Sequence, residues 1–262
     1  MKICQFEYRT TLCFDRPVGA HSFALRCLPS DDARQQIRSL TLSVEPDCRQ
    51  NVLTDSFGNR YASGYCASTH DSFAFAIAGE AALDSGTGYP AAAGECLPVY
   101  RFPSAYTAAG ERLRALYDGL RLREGTPRGR AMELCAAVTA HMRYEKYRTD
   151  TKTTAEAAVL LSCGVCQDYT HVFLALCRMD GIPCRYCAGL AACDGETHSW
   201  AEIYDGGLWY GLDPTNNAPV DEQYLKLSHG RDFADCAIDR GVFLGAALQT
   251  QTVESRLIER AQ

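Results

Sequence analysis

Three side chains suited to nucleophilic chemistry stand at the edges of regular-looking segments: Cys166 ahead of an apolar repeat, His198 at the head of a strand-like run, and Asp213 at the end of the next. The stretch Cys163-Gly164-Val165-Cys166-Gln167-Asp168 precedes Tyr169, Val172, Phe173, Leu176 and Cys177, whose spacings of three and four are helical. Cys166 therefore falls in the first turn of a helix. Unpaired backbone N–H groups and the helix dipole favour an anion there, which lowers a thiol pKa and raises the thiolate fraction. A thiolate, an imidazole to move protons and a carboxylate to fix its tautomer form the nucleophile, base and orienter of acyl transfer.

The histidine and the aspartate must be brought together by a hairpin. Residues 198–204 and 208–213 are strand-like and flank Asp205-Gly206-Gly207. A two-residue Asp205-Gly206 loop predicts Tyr204 opposite Gly207 and His198 opposite Asp213, with Cβ atoms ~5 Å apart on one sheet face. A three-residue loop would turn Asp213 to the other face, whereas a Gly206-Gly207 loop would keep the face and change the distance.

Four motifs carry a resemblance to a known family. Gly-Val-Cys-Gln-Asp at 164–168, Arg-Met-Asp-Gly-Ile-Pro-Cys-Arg at 178–185, His-Ser-Trp-Ala-Glu at 198–202 and Leu-Asp-Pro-Thr-Asn at 212–216 resemble the transglutaminase-like superfamily. The chain looks most like its bacterial members, which join a small β-rich N-terminal domain to a papain-like core. The resemblance implies an α+β fold: a β-sandwich-like N-terminal domain, then a papain/transglutaminase-like core whose catalytic cysteine opens a helix packed on an antiparallel sheet. It places the family's triad on Cys166, His198 and Asp213. Asp55-Ser56-Phe57-Gly58-Asn59 also resembles a turn of the bacterial N-terminal domain, and the segment from Gly230 to Asp235 a stretch common near the end of bacterial relatives.

Composition sets the frame for these motifs. With 262 residues the chain divides into a β-rich part over 1–85, a Gly-, Ala- and Pro-rich crossing segment over 86–105 and a catalytic part over 106–262. A net charge of −6 without a long basic run gives no sign of a nucleic-acid partner or an anionic membrane surface. The opening residues turn polar too early for a signal peptide, and no apolar run reaches the ~18 residues that span a bilayer. A cytoplasmic setting is expected, in which the 14 cysteines are mostly small buried apolar residues.

Alternating apolar sets at Cys4 to Phe14, Phe23 to Cys27, Leu40 to Val44 and Phe73 to Ile77 predict short strands. Helices are expected near Thr107 to Leu120, near Pro127 to Met142 with Met132, Cys135, Val138 and Met142 on the buried stripe, and from Thr154 to Leu161. A strand over Cys184 to Leu190 and a polar closing strand near Gln249 to Ile258 complete the expectation.

A metal site competes with the triad. Cys163-x-x-Cys166 and Cys184-x-x-Cys187 have the spacing of a four-thiolate zinc site, but the helix read between them holds the pairs about 20 Å apart. A redox Cys-x-x-Cys would leave His198 and Asp213 idle. The expected reaction is thioester-mediated acyl transfer on an amide or peptide bond of a peptide or protein substrate, needing no metal or organic cofactor. Hydrolysis, as in a cysteine peptidase or amidase, is preferred. Amine transfer, as in transglutaminase crosslinking, and a non-catalytic peptide-binding scaffold are the alternatives. Gln167, Asp168, Trp200 and Tyr144 are candidates for support: Asp168 as acceptor for first-turn donors, Trp200 as an apolar wall beside His198, Tyr144 as part of the cleft.

Overall fold

Apolar alternation in the first 28 residues produces one strand, not two. The structure, a computed structural model, describes residues 1–86, 88–95, 97–192 and 195–260. Thr87 and Cys96 of the crossing segment and Cys193 and Asp194 of the loop before His198 lie outside the described residues. Strand β1 (Lys2–Leu28) buries the even positions Cys4, Phe6, Tyr8, Leu12 and Phe14, then the odd positions Phe23, Leu25 and Cys27. The change of parity is made at the bend. Register shifts fall between Cys13 and Val18 and between Gly19 and Ser22, and Ala20 is left-handed with φ 48°. An extra residue in a bulge moves every later side chain to the other face.

Around β1 the strands β2 (Gln35–Glu45), β3 (Gln50–Thr54), β4 (Arg60–Cys66) and β5 (His70–Leu83) pair in the order β2-β5-β1-β4-β3. The first half of β1 pairs with β5 and the second half with β4, so one bent strand serves both parts of a curled antiparallel sheet. The chain then runs through β6 (Tyr89–Pro90) and a short 3₁₀ turn at Leu97–Arg101 to three helices: α1 (Glu111–Gly119), α2 (Pro127–His141) and, after β7 (Arg143–Tyr144), α3 (Ala155–Leu161). Helix α1 starts four residues later than expected. Thr107 is buried and accepts from the Arg178 guanidinium, while the α1 N–H groups of Arg112 and Leu113 donate to Glu156 of α3. That cap comes from a different helix. On α2 the expected stripe needs one correction: Met132 is exposed, and Ala131 and Leu134 join Cys135 and Val138 in the core.

After β8 (Cys163–Gly164) comes α4 (Cys166–Met179), then β9 (Cys184–Ala191), β10 (Thr197–Asp205), β11 (Leu208–Asp213), β12 (Ala218–Pro219) and β13 (Tyr224–Gly230). These strands form a second antiparallel sheet in the order β12-β11-β10-β9-β13, with β6 added to β11. A single turn, α5 (Phe233–Cys236), leads to β14 (Asp239–Leu244) and β15 (Gln249–Glu259), both of which pair with β1. The closing strand thus returns to the first sheet.

The second sheet is the middle layer. On one face lies α4, buried without interruption from Asp168 to Arg178; on the other, Leu190, Leu225 and Leu227 enter the core of Phe6, Phe73 and Phe75. Polar contacts join the same surfaces. Asn59 donates to the His229 carbonyl at 2.7 Å and accepts its N–H at 2.8 Å, so the turn at 55–59 docks onto β13. Deeper in, Glu202 is bonded by Arg185 at 2.7 Å and Lys226 at 3.2 Å, while Arg185 also reaches Glu95 and Lys226 reaches Asp32 at 2.8 Å. Burial alone would raise the Glu202 carboxyl, but the charges of Lys226 and Arg185 hold it well below its ordinary range. Glu202→Ala removes the anion between two buried cations, and we expect a loss of about 3 kcal/mol of stability, read as a lower urea midpoint at unchanged m value.

Candidate active site

Helix α4 is capped by its own third residue. The Asp168 carboxylate accepts the Val165 N–H at 2.8 Å and the Thr149 hydroxyl at 2.7 Å, while the Asp168 N–H donates to the Val165 carbonyl at 2.9 Å. Gly164 is required by this approach: a Cβ there would stand 2.3 Å from the Asp168 Oδ2. Asp168 is buried and serves the helix mouth; burial raises its carboxyl above the usual range. Gln167 donates to the Thr151 carbonyl at 3.3 Å, and Tyr144, half exposed, has its ring tilted against Tyr169 with centroids 6.4 Å apart; Gln167 and Tyr144 both line the cavity that contains Cys166.

The hairpin differs from the preferred expectation by one pair. Asp205 pairs with Leu208 and Ala201 with Leu212, so the loop is Gly206-Gly207. Both glycines have positive φ, 58° and 93°, as a type I′ turn demands, and Asp205 is left free to accept the Arg128 N–H at the start of α2. Continuing this register puts Asp213 level with Trp200 and diagonal to His198, on the same face. Imidazole length covers the diagonal: His198 Nε2 is 2.8 Å from Asp213 Oδ2.

Asp213 is fully buried and surrounded by donors. Besides His198, its Oδ2 accepts from the Asn216 side chain at 2.7 Å and the Tyr224 hydroxyl at 2.9 Å; its Oδ1 accepts the Thr215 and Asn216 N–H groups at 2.8 and 3.3 Å. Burial pushes this carboxyl up, yet the bond and charge of His198, with Asn216 and Tyr224, bring it below its ordinary value. With Nε2 held by Asp213, the other ring nitrogen of His198 is left for the sulfur. Cys166 lines the same cavity as His198 and Ser199. Burial opposes the thiolate, but His198 and Ser199 outweigh it and lower the thiol below 9.0. Burial likewise opposes the imidazolium, and the bonds to Asp213 and Cys166 raise His198 to about 10.

Residues 114–214 match the model of the transglutaminase-like superfamily, and residues 4–82 that of the bacterial transglutaminase-like N-terminal region. The chain belongs to the transglutaminase-like superfamily. Cys166, His198 and Asp213 all lie inside the region matched to the superfamily core. An uncharacterised protein of Mycobacterium leprae is 30% identical over 154 residues, 55% of this chain and 54% of that one. An uncharacterised protein of Mycobacterium tuberculosis is 30% identical over 126 residues, 42% of this chain and 40% of that one. The chain spans about half the length of the curated relatives it matches. A crystal structure of a candidate cysteine protease from Cytophaga hutchinsonii superposes with a TM-score of 0.83 at 20% identity, over 100% of this chain and 91% of that one; the likeness is one of fold.

Trp200 of this transglutaminase-like chain is buried behind the histidine, with its ring 5.4 Å from Tyr224 and packed over Gly189. The two Cys-x-x-Cys pairs do not meet: the Cys184 thiol donates to the Leu174 carbonyl of α4, whereas Cys187 packs with Trp200 and Val220 on the opposite sheet face. His171 is buried in α4, accepts the Phe233 N–H at 3.2 Å, and is held neutral by burial, its pKa near 3. Sequence reasoning missed Ser199, Tyr224 and the role of Asn216. Ser199 and Asn216 stand inside motifs it singled out, beside His198 and three residues past Asp213, and that adjacency was the available signal; Tyr224 had none.

Replacing Asp213 by Asn leaves a carboxamide that no longer favours the imidazolium, so His198 falls toward its ordinary 6.5 and the thiolate is lost with it. We expect the iodoacetamide alkylation rate of Cys166 at pH 7 to drop at least about tenfold, the cost of a one-unit shift. In the unsubstituted protein the midpoint of that rate's rise with pH should lie below 9.0, the ordinary value from which the Cys166 thiol is lowered.

Proposed function

We propose that the chain performs thiol-dependent acyl transfer on amide or peptide bonds through a Cys166 thioester, with water as the usual acceptor. The observation that carries this reading is Cys166 lining one cavity with His198, whose ring is held at 2.8 Å by the buried Asp213 carboxylate and lowers the thiol pKa. The thiolate attacks the carbonyl carbon while the first-turn N–H of Cys166, at the positive end of α4, receives the developing oxyanion. Collapse breaks the C–N bond as the His198 proton passes to the departing amine. Neutral His198 then takes a proton from water, the hydroxide equivalent displaces sulfur, and the acid leaves with the thiolate restored.

Hydrolysis is favoured because the cavity is open to solvent at exposed residues such as Lys152 and Gln249, so water reaches the acyl-enzyme without a gate. A peptide or protein substrate and a cytoplasmic setting belong to the same reading. Incubation with a diverse peptide mixture, with and without a primary amine, should yield new carboxylates by mass spectrometry, and none from a Cys166→Ala variant. Amine incorporation exceeding hydrolysis would instead assign the transferase reaction. Selective labelling of Cys166 without any product would assign a binding scaffold.

The sign of the pH dependence follows from the histidine. Raised to about 10, His198 carries its proton through neutrality and loses it as the pH rises through that value. Turnover should therefore fall above about pH 10 as the general acid is lost. By the same linkage, the stability drawn from the imidazolium is full below its ordinary 6.5 and disappears through about 10.

A further inference from the structure

The cavity that holds Cys166 is walled on its far side by the curled sheet. It measures about 1140 Å³ and runs from Cys166, His198 and Ser199 to Tyr8, Phe23 and Asp239. That exceeds the ~300–1,000 Å³ of a drug-sized ligand site and suits several residues of a polypeptide. In β14, Asp239 pairs with the fully buried Leu25, and with Gly241 and Phe243 it faces the inside of the sheet; Val242 and Leu244 point out and are exposed.

Among the described residues, the Asp239 carboxylate has no hydrogen bond and no ion pair, although it is half-buried. Burial alone raises it to about 6, so it is mostly ionised at neutral pH. Its charge is felt by buried Tyr8 and Cys27, neither of which supplies a cation. The cations on the cavity are turned elsewhere: Arg240 donates to the Ala234 carbonyl, and Lys152 is exposed on the rim. Lys146 is spent on Glu196 at 3.0 Å. No group of three or more His, Cys, Asp or Glu gathers among the described residues, so Asp239 lacks the companions a metal ion requires.

A half-buried carboxylate without a partner is costly to fold around, and a cation brought by a ligand offsets that cost. The aromatic walls at Tyr8, Phe23 and Tyr186 fit the aliphatic stem that carries such a cation. We propose that Asp239 is a specificity-determining residue that receives the ammonium or guanidinium of a lysine or arginine side chain on the polypeptide laid across Cys166. The inference rests on reading this cleft as the acyl-transfer site.

The test reads binding without turnover. In the full chain carrying Cys166→Ala, the affinity of fluorescent blocked pentapeptides is measured by anisotropy, with lysine, norleucine or glutamate at each position in turn. At one position lysine should bind at least about tenfold tighter than norleucine, the scale of a hydrogen bond to a charged group, with glutamate weakest. Adding Asp239→Asn should bring the lysine-to-norleucine ratio close to one without lowering Tm. Equal affinities at every position, no binding of any peptide at millimolar concentration, a preference that survives Asp239→Asn, or a clear fall in Tm would each overturn the assignment. A Cys166→Ser background repeats the measurement should the alanine variant fold poorly. Failure of the acyl-transfer reading would appear separately, as absent Cys166-dependent product from the unsubstituted protein.

Discussion

An imidazole that draws the neighbouring thiol toward its anion while a buried carboxylate holds the ring charge is the constraint that the rest of this structure serves. Burial opposes both charged forms; His198 favours the Cys166 anion, and Asp213 with Cys166 favours the imidazolium. The balance rests on Asp213, which is fully buried and can stay ionised only because five donors converge on it. Two of those donors are the backbone N–H groups of the turn that follows β11, so the strand end and the charge are made by the same residues. The pair is a feature of geometry before it is one of chemistry.

The same sheet face carries a second buried charge cluster. Trp200 and Gly189 lie between His198 and the group of Glu202, Arg185 and Lys226, so two ionic sites share one face with an aromatic partition. The second cluster takes Glu95 from the crossing segment and Asp32 from the connection between β1 and β2. It therefore ties three separate stretches of chain to the strand that holds His198. Its charges have partners on every side, which is a structural arrangement, whereas Asp239, across the cavity, has none among the described residues.

The N-terminal sheet is more than an appendage in this arrangement. Its strand β1 accepts β14 and β15 from the far end of the chain, and those strands form one wall of the cavity opposite Cys166. Sequence distance hides this completely. The motif at 55–59, weak by itself, proves to be a docking point through Asn59 on β13.

What the sequence by itself determined is what a single element's period and ends dictate: a cysteine in the first turn of α4, a hairpin able to set His198 and Asp213 on one face if its loop has two residues, and Asp168 as the cap of its own helix. The hairpin register was legible only to within one pair, because both Asp205-Gly206 and Gly206-Gly207 can turn and the choice depends on Asp205 being used by α2. Tertiary structure alone decided the parity change in β1, the cap of α1 by Glu156, the exposure of Met132, and the arrival of the Tyr224 hydroxyl at Asp213. Periodicity is a local property and survives in one dimension, whereas which distant donor meets a buried charge depends on how whole layers pack, and no spacing along the chain records that.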